Sequence, residues 1–336
     1  MKTSIIVTSI NAPNRILQSI ADGAIRVAWD FVVIGDTKSP KDFSLEGCRF
    51  LSVDDQRATK LRFAEVCPTR HYARKNIGYL LAMGGGAELI VETDDDNFPR
   101  SNFFGPRSRR VEASTSAGEG WVNVYRYFSD ANIWPRGLPL DQIHKPLKPF
   151  EKLPVRSVEC PIQQGLADEN PDVDAIYRLI LPLPQSFRSD RRVVLDKGSW
   201  CPFNSQNTTW WRDAFPLLYL PAHCSFRMTD IWRSFVAQRI AWENGWSVLF
   251  HEASVWQDRN DHSLMRDFAD EVPGYLNNER ICHTLEDLSL SSGIANIEHN
   301  LRRCYQSLVS LDVVGSEELS LLEAWIADLD RINEAP

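Results

Sequence analysis

The chain contains 336 residues, of which 43% are apolar and 24% are charged, a balance typical of globular proteins. The formal net charge of −8 argues against a general nucleic-acid-binding surface. No apolar stretch approaches the ~18 residues that a membrane span needs, and the N-terminal apolar run is too short for a secretory signal. We therefore expect no nucleic-acid partner, no membrane span and a cytoplasmic location.

The first hundred residues alternate between strand patterns and helix patterns. Short apolar runs of strand length occupy residues 4–10, 29–36, 48–55 and 87–96. Asn14 is a plausible N-cap for the first helix, and Ile77 and Leu80 have helical spacing in a later one. This alternation is typical of an α/β fold with a mostly parallel sheet between helices.

Polar side chains follow three of the predicted strands. They belong to residues 9–11, 36–38 and 94–96. Because ligands of such sheets bind beyond the carboxyl ends of the strands, we expect these side chains to meet at one edge.

The pattern weakens between residues 100 and 200, where the proline-rich residues 134–154 predict a long ordered loop. Residues 228–244 predict a helix that Thr229 or Asp230 can cap. After about residue 285 the sequence predicts two helices that pack against each other and have no catalytic role. The seven cysteines lack C-x-x-C spacing, so we expect free thiols.

Asp94 and Asp96 are separated by one residue at the end of the fourth predicted strand. Such a pair suits a hard divalent cation, Mg²⁺ or Mn²⁺, that shares its other sites with water and substrate phosphates. A calcium loop or an aspartyl-phosphate site fits less well, because each needs another residue type where Phe98 stands. The alternative is a solvated acidic turn. Nearby, Arg74 and Lys75 lie at the start of a predicted helix. Cations at a helix N-terminus suit the binding of a diphosphate. The alternative is that both are ordinary solvated side chains of the helix.

Several long segments resemble the STELLO-type probable glycosyltransferases, and the layout is more weakly similar to the reversibly glycosylated polypeptides, the UDP-arabinopyranose mutases. The segments are "RKNIGYLLAMGGGAELIVETDDDN", "NIWPRGLPL", "QGLADENPDVDAIYRL", "CPFNSQNTTWW" and "LYLPAHCSFRMTDIWRSFVAQRIAWENGW". The resemblance covers most of residues 1–280 and implies a GT-A type nucleotide-diphospho-sugar transferase fold. It implies a catalytic domain at 1–284, with a nucleotide-binding half at 1–100 and an acceptor-side half at 101–284. Residues 285–336 then form a helical extension.

The resemblance also implies roles for individual residues. Asp94 and Asp96, with Asp95 between them, match the carboxylates that hold Mn²⁺ or Mg²⁺ in this fold. Positions expected near the base, ribose and diphosphate of a UDP- or GDP-sugar are Thr8, Ser9, Asn11, Asp36, Arg74 and Lys75. Asp230 matches an acidic residue that faces the acceptor. The mutases have two aspartates there, and this chain has Thr229 in place of one.

The implied function is metal-dependent transfer of a sugar from a nucleoside diphosphate sugar to a hydroxyl of a glycan or another acceptor. The metal offsets charge on the leaving diphosphate. If the reaction inverts the anomeric centre, Asp230 is the candidate base; the alternative is an N-cap alone. A late histidine sometimes adds to the metal in this fold, and His251 and His262 are candidates. We prefer His262, which follows a polar run.

Arg136 lies near the arginine-glycine stretch of the mutases. It could bind diphosphate, carry a sugar or pair with a carboxylate, and the second is disfavoured because a charged guanidinium is a poor nucleophile. Asn204 is a candidate sugar-binding amide, and the neighbouring Trp210 and Trp211 are either sugar contacts or core. Asp168, Asp172 and Asp174 lie on a predicted acidic loop that could contact the donor or the acceptor, and we assign them no specific role.

Two other functions remain open. One is a nucleotide-sugar mutase with reversible self-glycosylation, or a nucleotidyltransferase. The other is an inactive GT-A scaffold that partners other glycosyltransferases.

Overall fold

A computed structural model of the chain describes residues 1–258 and 263–334. Within those ranges, no helix combines the length and the apolar composition that a membrane crossing requires. The strands are β1 (Thr3–Thr8), β2 (Asp30–Ile34), β3 (Arg49–Leu51), β4 (Leu89–Thr93), β5 (Asn97–Pro99), β6 (Arg110–Ser116), β7 (Gly120–Trp121), β8 (Val155–Glu159), β9 (Ile162–Asp168), β10 (Arg192–Leu195), β11 (Ser199–Trp200), β12 (Asn207–Trp211) and β13 (Val248–Gln257). The helices are α1 (Arg15–Val27), α2 (Val53–Ala58), α3 (Arg62–Val66), α4 (Lys75–Gly84), α5 (Tyr125–Phe128), α6 (Ala175–Ile180), α7 (Thr229–Glu243), α8 (Leu264–Asp287), α9 (Ile297–Ser310) and α10 (Glu318–Glu334).

The described strands form one large mixed sheet in the order β3-β2-β1-β4-β12-β9-β13-β10-β6-β8, with β5 on β13 and a separate β7–β11 pair. The four predicted strands are its parallel N-terminal half. β12 then runs antiparallel to β4. The predicted α/β class is confirmed, and the architecture is consistent with a nucleotide-sugar transferase fold.

Local signals account for the elements of the N-terminal half. Asn14 caps α1 by accepting hydrogen bonds from the backbone N–H groups of Ile16 and Leu17, as predicted. Helix α4 packs closely on β1 at Gly78, where an added Cβ would lie 2.6 Å from Cγ2 of Ile6. This close approach packs α4 against β1 and also against Ile34 at the end of β2.

The chain between α5 and β8 is mostly irregular. Residues 134–154 contain two 3₁₀ turns, Leu140–Gln142 and Phe150–Lys152, and otherwise irregular backbone. Helix α7 is present as predicted, but the predicted cap is wrong. Met228 precedes the helix without capping it through a side chain, and Thr229 and Asp230 lie in the first turn.

The C-terminal helices α9 and α10 form the predicted packing pair, with the break at Gly315 and Ser316. Their buried side chains belong to the same hydrophobic core as α4 and α7; they are Ile297, Leu301, Tyr305, Leu308, Leu322, Ile326 and Leu329. The domain boundary at residue 284 stays a prediction.

Candidate active site

The carboxyl ends of β1, β2 and β4 border a cavity of about 450 Å³. Parallel pairing puts these strand ends at one edge of the sheet, so the expected convergence of the polar segments is confirmed. The predicted residues that line the cavity are Thr8, Ser9, Asn11, Asp36, Arg74, Asp94, Asp95, Asp96, Arg136, Asn204 and Asp230.

The acidic turn after β4 is tied to the end of β1 through Asp95. Oδ2 of Asp95 accepts hydrogen bonds from Oγ of Ser9 at 2.5 Å and from Nδ2 of Asn11 at 3.0 Å. Asn14 donates to the Asp95 backbone carbonyl at 2.9 Å. Burial raises the pKa of Asp95, although the two side-chain hydrogen bonds oppose that rise. Asp95 therefore fixes the acidic turn against the end of β1 and the start of α1.

Asp94 is held by a buried lysine. Nζ of Lys75 lies 2.9 Å from Oδ1 of Asp94 and also donates to the Thr93 carbonyl at 2.7 Å. The Tyr72 hydroxyl donates to the same Asp94 oxygen at 2.7 Å and lies 2.7 Å from Oγ of Ser205. Lys75 does not line the cavity, so it acts on the site through Asp94.

Asp96 is buried at the cavity wall, where Nε2 of Gln257 donates to its Oδ2 at 2.9 Å. The described residues contain no cluster of three or more His, Cys, Asp or Glu that could hold a metal. Asp94 and Asp96 nevertheless offer two hard oxygen donors that face one cavity. Because Mg²⁺ and Mn²⁺ are often held by one or two carboxylates, with waters and substrate phosphates completing the shell, this pair fits such an ion.

One wall of the cavity is built around Asp36 at the end of β2. Oδ2 of Asp36 accepts a hydrogen bond from the backbone N–H of His71 at 3.1 Å, which joins the β2 end to the segment before α4. Arg74 also borders the cavity but is almost fully buried. Its Nε donates to Oε1 of Gln56 at 2.9 Å, and its Nη1 donates to the Cys67 carbonyl at 3.0 Å. Neither Arg74 nor Lys75 is the solvated helix residue that the sequence left as an alternative.

Arg136 pairs with two carboxylates at the cavity floor. Its guanidinium donates to both oxygens of Asp172, each at 2.8 Å, and to both oxygens of Asp230, at 3.1 and 3.0 Å. All three side chains are largely buried. Burial acts to raise the pKa of Asp230, but the charge and hydrogen bonds of Arg136, together with the charge of Arg233, leave that pKa below its usual range. Of the three alternatives for Arg136, the structure shows pairing with carboxylates.

Other predicted polar residues take structural or supporting positions. Asn204 donates to Oδ2 of Asp172 at 2.9 Å. Asp174 caps α6 and accepts from Nε1 of Trp134 at 2.7 Å. Asp168 pairs with Arg100 at 2.7 Å. Trp210 is a core residue whose indole donates to Oε1 of the buried Glu92 at 2.8 Å.

The two candidate histidines have different outcomes. His251 lies in β13 with Nδ1 3.0 Å from the Glu252 carbonyl, and it does not line the cavity. Burial lowers its pKa to about 4. His262 lies outside the described residues.

Several cavity residues were missed by reasoning from sequence. Tyr72 and Ser205 belong to no motif and meet through a contact between segments distant in the chain. Asp172 was named from the sequence without a specific role, and it accepts a hydrogen bond from Asn204. Lys38 and Arg70 line the cavity, are solvent-exposed, and form no ion pair with another described residue. Lys38 belongs to the polar segment 36–38 that was expected at this edge of the sheet, whereas no sequence signal pointed to Arg70.

Comparisons with known proteins confirm the resemblance seen in the sequence. Residues 227–334 match the family model of the STELLO glycosyltransferases. The chain is 30% identical over 334 residues to the probable glycosyltransferase STELLO2 of Arabidopsis thaliana, and the alignment covers 91% of this chain and 42% of that protein. It is 29% identical over 351 residues to STELLO1 of the same plant, with coverage of 97% and 44%.

The chain thus spans less than half the length of these curated relatives. The family match includes α9 and α10, so the similarity extends beyond the part matched from sequence. A solved structure of a mycobacterial protein aligns with a TM-score of 0.37 and 10% identity, covering 82% of this chain and 74% of that one.

Proposed function

We propose that the chain transfers a sugar from a nucleoside diphosphate sugar to an acceptor hydroxyl, because it is similar to the STELLO glycosyltransferases along most of its length. The observation that carries this proposal is the acidic turn at the end of β4, whose Asp94, Asp95 and Asp96 face a cavity that also holds Asp230. An acidic turn that only capped the next segment would not need to face a cavity that is also lined by Asp172 and Asp230.

In this proposal the nucleoside lies along the ends of β1 and β2. Thr8, Ser9 and Asn11 supply hydroxyl and amide groups there, and Asp36 supplies a carboxylate acceptor for N–H or O–H groups. Asp94 and Asp96 would hold Mg²⁺ or Mn²⁺, which when bound supplies positive charge opposite the diphosphate.

The acceptor is proposed to enter beside Asp230. Its hydroxyl oxygen forms a bond to the anomeric carbon, its proton passes to the Asp230 carboxylate, and the bond from the anomeric carbon to the diphosphate oxygen breaks. The diphosphate leaves with the electron pair. This describes an inverting transfer with Asp230 as general base.

Self-glycosylation of Arg136 is the less favoured alternative. The Arg136 guanidinium is paired with Asp172 and Asp230, which outweigh burial and raise its pKa further above the usual range. A more strongly held proton makes it a still poorer nucleophile. An inactive scaffold is also disfavoured, because Asp94, Asp96 and Asp230 all line the cavity.

A product assay tests the proposal. The protein is incubated with labelled UDP- and GDP-sugars, with Mn²⁺ or with EDTA, and with or without a panel of glycan acceptors. We expect nucleoside diphosphate to be released with Mn²⁺ and not with EDTA, faster when an acceptor is present. Isomerised donor without acceptor would favour a mutase, and sugar on Arg136 in the intact mass spectrum would favour self-glycosylation.

A further inference from the structure

The cavity floor holds Asp230 in one fixed orientation, and the residues that fix it have no role in the proposed function so far. We propose that Arg136 and Asp172 are positioning residues for Asp230, and that Oδ1 of Asp230 is the atom that accepts the proton of the acceptor hydroxyl. This inference rests on the proposed role of Asp230 as base.

The backbone of Arg136 is fixed beneath the start of α7. The next residue, Gly137, has a φ of +88°, and a Cβ added there would lie 2.5 Å from Cγ2 of Ile231. Nδ2 of Asn278 donates to the Gly137 carbonyl at 2.7 Å, and the Arg136 N–H donates to the Asp172 carbonyl at 2.9 Å. A glycine is needed at this approach, so the guanidinium reaches Asp230 from a rigid loop.

Asp172 in turn fixes the guanidinium. It accepts from Nε and Nη2 of Arg136, the two-point geometry that orients a planar guanidinium. Nδ2 of Asn204 holds the Asp172 carboxylate from the other side at 2.9 Å. Asp172 therefore orients the guanidinium that holds Asp230, and its own negative charge also acts directly on the Asp230 carboxylate.

The two oxygens of Asp230 differ in what they already accept. Oδ2 accepts from Nη2 of Arg136 at 3.0 Å and from the backbone N–H and hydroxyl of Ser205, at 3.2 and 3.3 Å. Among the described residues, Oδ1 accepts a hydrogen bond from Nη1 of Arg136 alone, at 3.1 Å. Because a carboxylate oxygen has two lone pairs, Oδ1 keeps one for an acceptor hydroxyl and Oδ2 does not.

The charges around Asp230 predict the effect of removing the Arg136 guanidinium. The charged or titratable groups that act on it are Arg136, Asp172, Arg233, Tyr72 and Cys224. Without Arg136, two buried carboxylates face each other with no cation between them. One of them should then bind a proton near neutral pH, as adjacent buried carboxylates do.

The first experiment measures the pH dependence of donor turnover for the wild-type protein and for Arg136→Met, Arg136→Lys and Asp172→Asn. We expect Arg136→Met to lower kcat at pH 7 at least 100-fold and to move the acid limb of the profile up by at least one pH unit, while the affinity for UDP with Mn²⁺ stays within about threefold. Arg136→Lys should restore part of the rate. Asp172→Asn should lower kcat about tenfold without raising the acid limb, because it removes a negative charge.

A loss of turnover by the same factor at every pH would overturn the positioning role, as would an unchanged rate. A wild-type protein that binds no nucleoside diphosphate would instead overturn the proposed function. Normal turnover in Asp230→Asn would overturn the base assignment while leaving donor binding intact.

A second measurement does not need turnover. The melting temperature of Arg136→Met should lie furthest below the wild-type value at pH 8, and the gap should narrow by several degrees at pH 5 as a proton binds between Asp172 and Asp230. In Arg136→Met combined with Asp172→Asn, one unpaired buried carboxylate remains instead of two, so the gap in melting temperature should change less with pH than in the single variant. A gap in the single variant that is constant from pH 8 to pH 5 would contradict the proposal.

Discussion

The ammonium group of Lys75 lies 2.9 Å from Oδ1 of Asp94, and the Lys75 side chain is completely buried. The same nitrogen donates to the carbonyl of Thr93 at 2.7 Å and to the carbonyl of Ser205 at 3.2 Å. One cation at the start of α4 thus joins the acidic turn after β4 to the segment before β12. Its positive charge offsets part of the repulsion between the adjacent carboxylates of this turn.

Replacing Lys75 by Met should therefore destabilise the protein. Loss of one partner of a largely buried ion pair costs about 3 kcal/mol, and the partial exposure of Asp94 keeps the effect near the lower end of the known range. Urea denaturation measures the free energy of unfolding, with the exposed Lys41→Met as the matched control. Equal urea midpoints for the two variants would mean that the pair contributes no stability.

The cations Lys38 and Arg70 should contribute to binding of the nucleoside diphosphate. Both line the cavity and are exposed, and neither is paired with a carboxylate among the described residues. Exposed charge pairs contribute at most about 1 kcal/mol each, so the double variant Lys38→Gln/Arg70→Gln should bind UDP about tenfold more weakly. Titration calorimetry at two salt concentrations measures this, because added salt should shrink the difference.

Lys41→Gln is the control for that experiment, since Lys41 is exposed near the same strand end and does not line the cavity. If the double variant and the control bind UDP with equal affinity, the nucleoside diphosphate does not approach Lys38 and Arg70.

His251 should make the folded state less stable as the pH falls. Burial holds its pKa in the folded protein at about 4, below the ordinary value of 6.5, so the unfolded chain binds a proton first. Stability is therefore full above pH 6.5 and declines as the pH falls toward 4, by about 2 kcal/mol at pH 5. In His251→Gln, the difference in unfolding free energy between pH 7 and pH 5 should be smaller by that amount.

The exposed His283→Gln is the matched control, and it should keep the wild-type pH dependence. If His251→Gln retains the full loss of stability between pH 7 and pH 5, burial of this ring is not its cause.

Sequence patterns predicted the N-terminal half of the fold because its signals are local. The Asn14 cap and the four apolar runs each depend on neighbouring residues, and parallel pairing then brings the strand ends together. Helix α8 was not predicted, since Pro273 normally ends a helix and several of its buried residues are polar.

The site was predictable in its acidic turn and less so in its supporting contacts. The sequence placed Asp94 and Asp96 at a strand end, but it could not show that Lys75 turns inward to meet Asp94. The same limit applies to Asp230, whose partner Arg136 is 94 residues away in the chain. Pairings at that distance depend on tertiary structure, which no local pattern encodes.

The proposed function requires that a nucleoside diphosphate bind at the acidic turn with the help of a divalent ion. Titration calorimetry with UDP and with GDP, in Mn²⁺ and in EDTA, tests this directly for the wild-type protein, for Asp94→Asn/Asp96→Asn, and for the exposed Asp42→Asn as control. We predict that one of the two nucleotides binds at least tenfold more tightly with Mn²⁺, and that this gain disappears only in the double variant. Binding that is absent in the wild-type protein, or equal in Mn²⁺ and EDTA, would contradict the account.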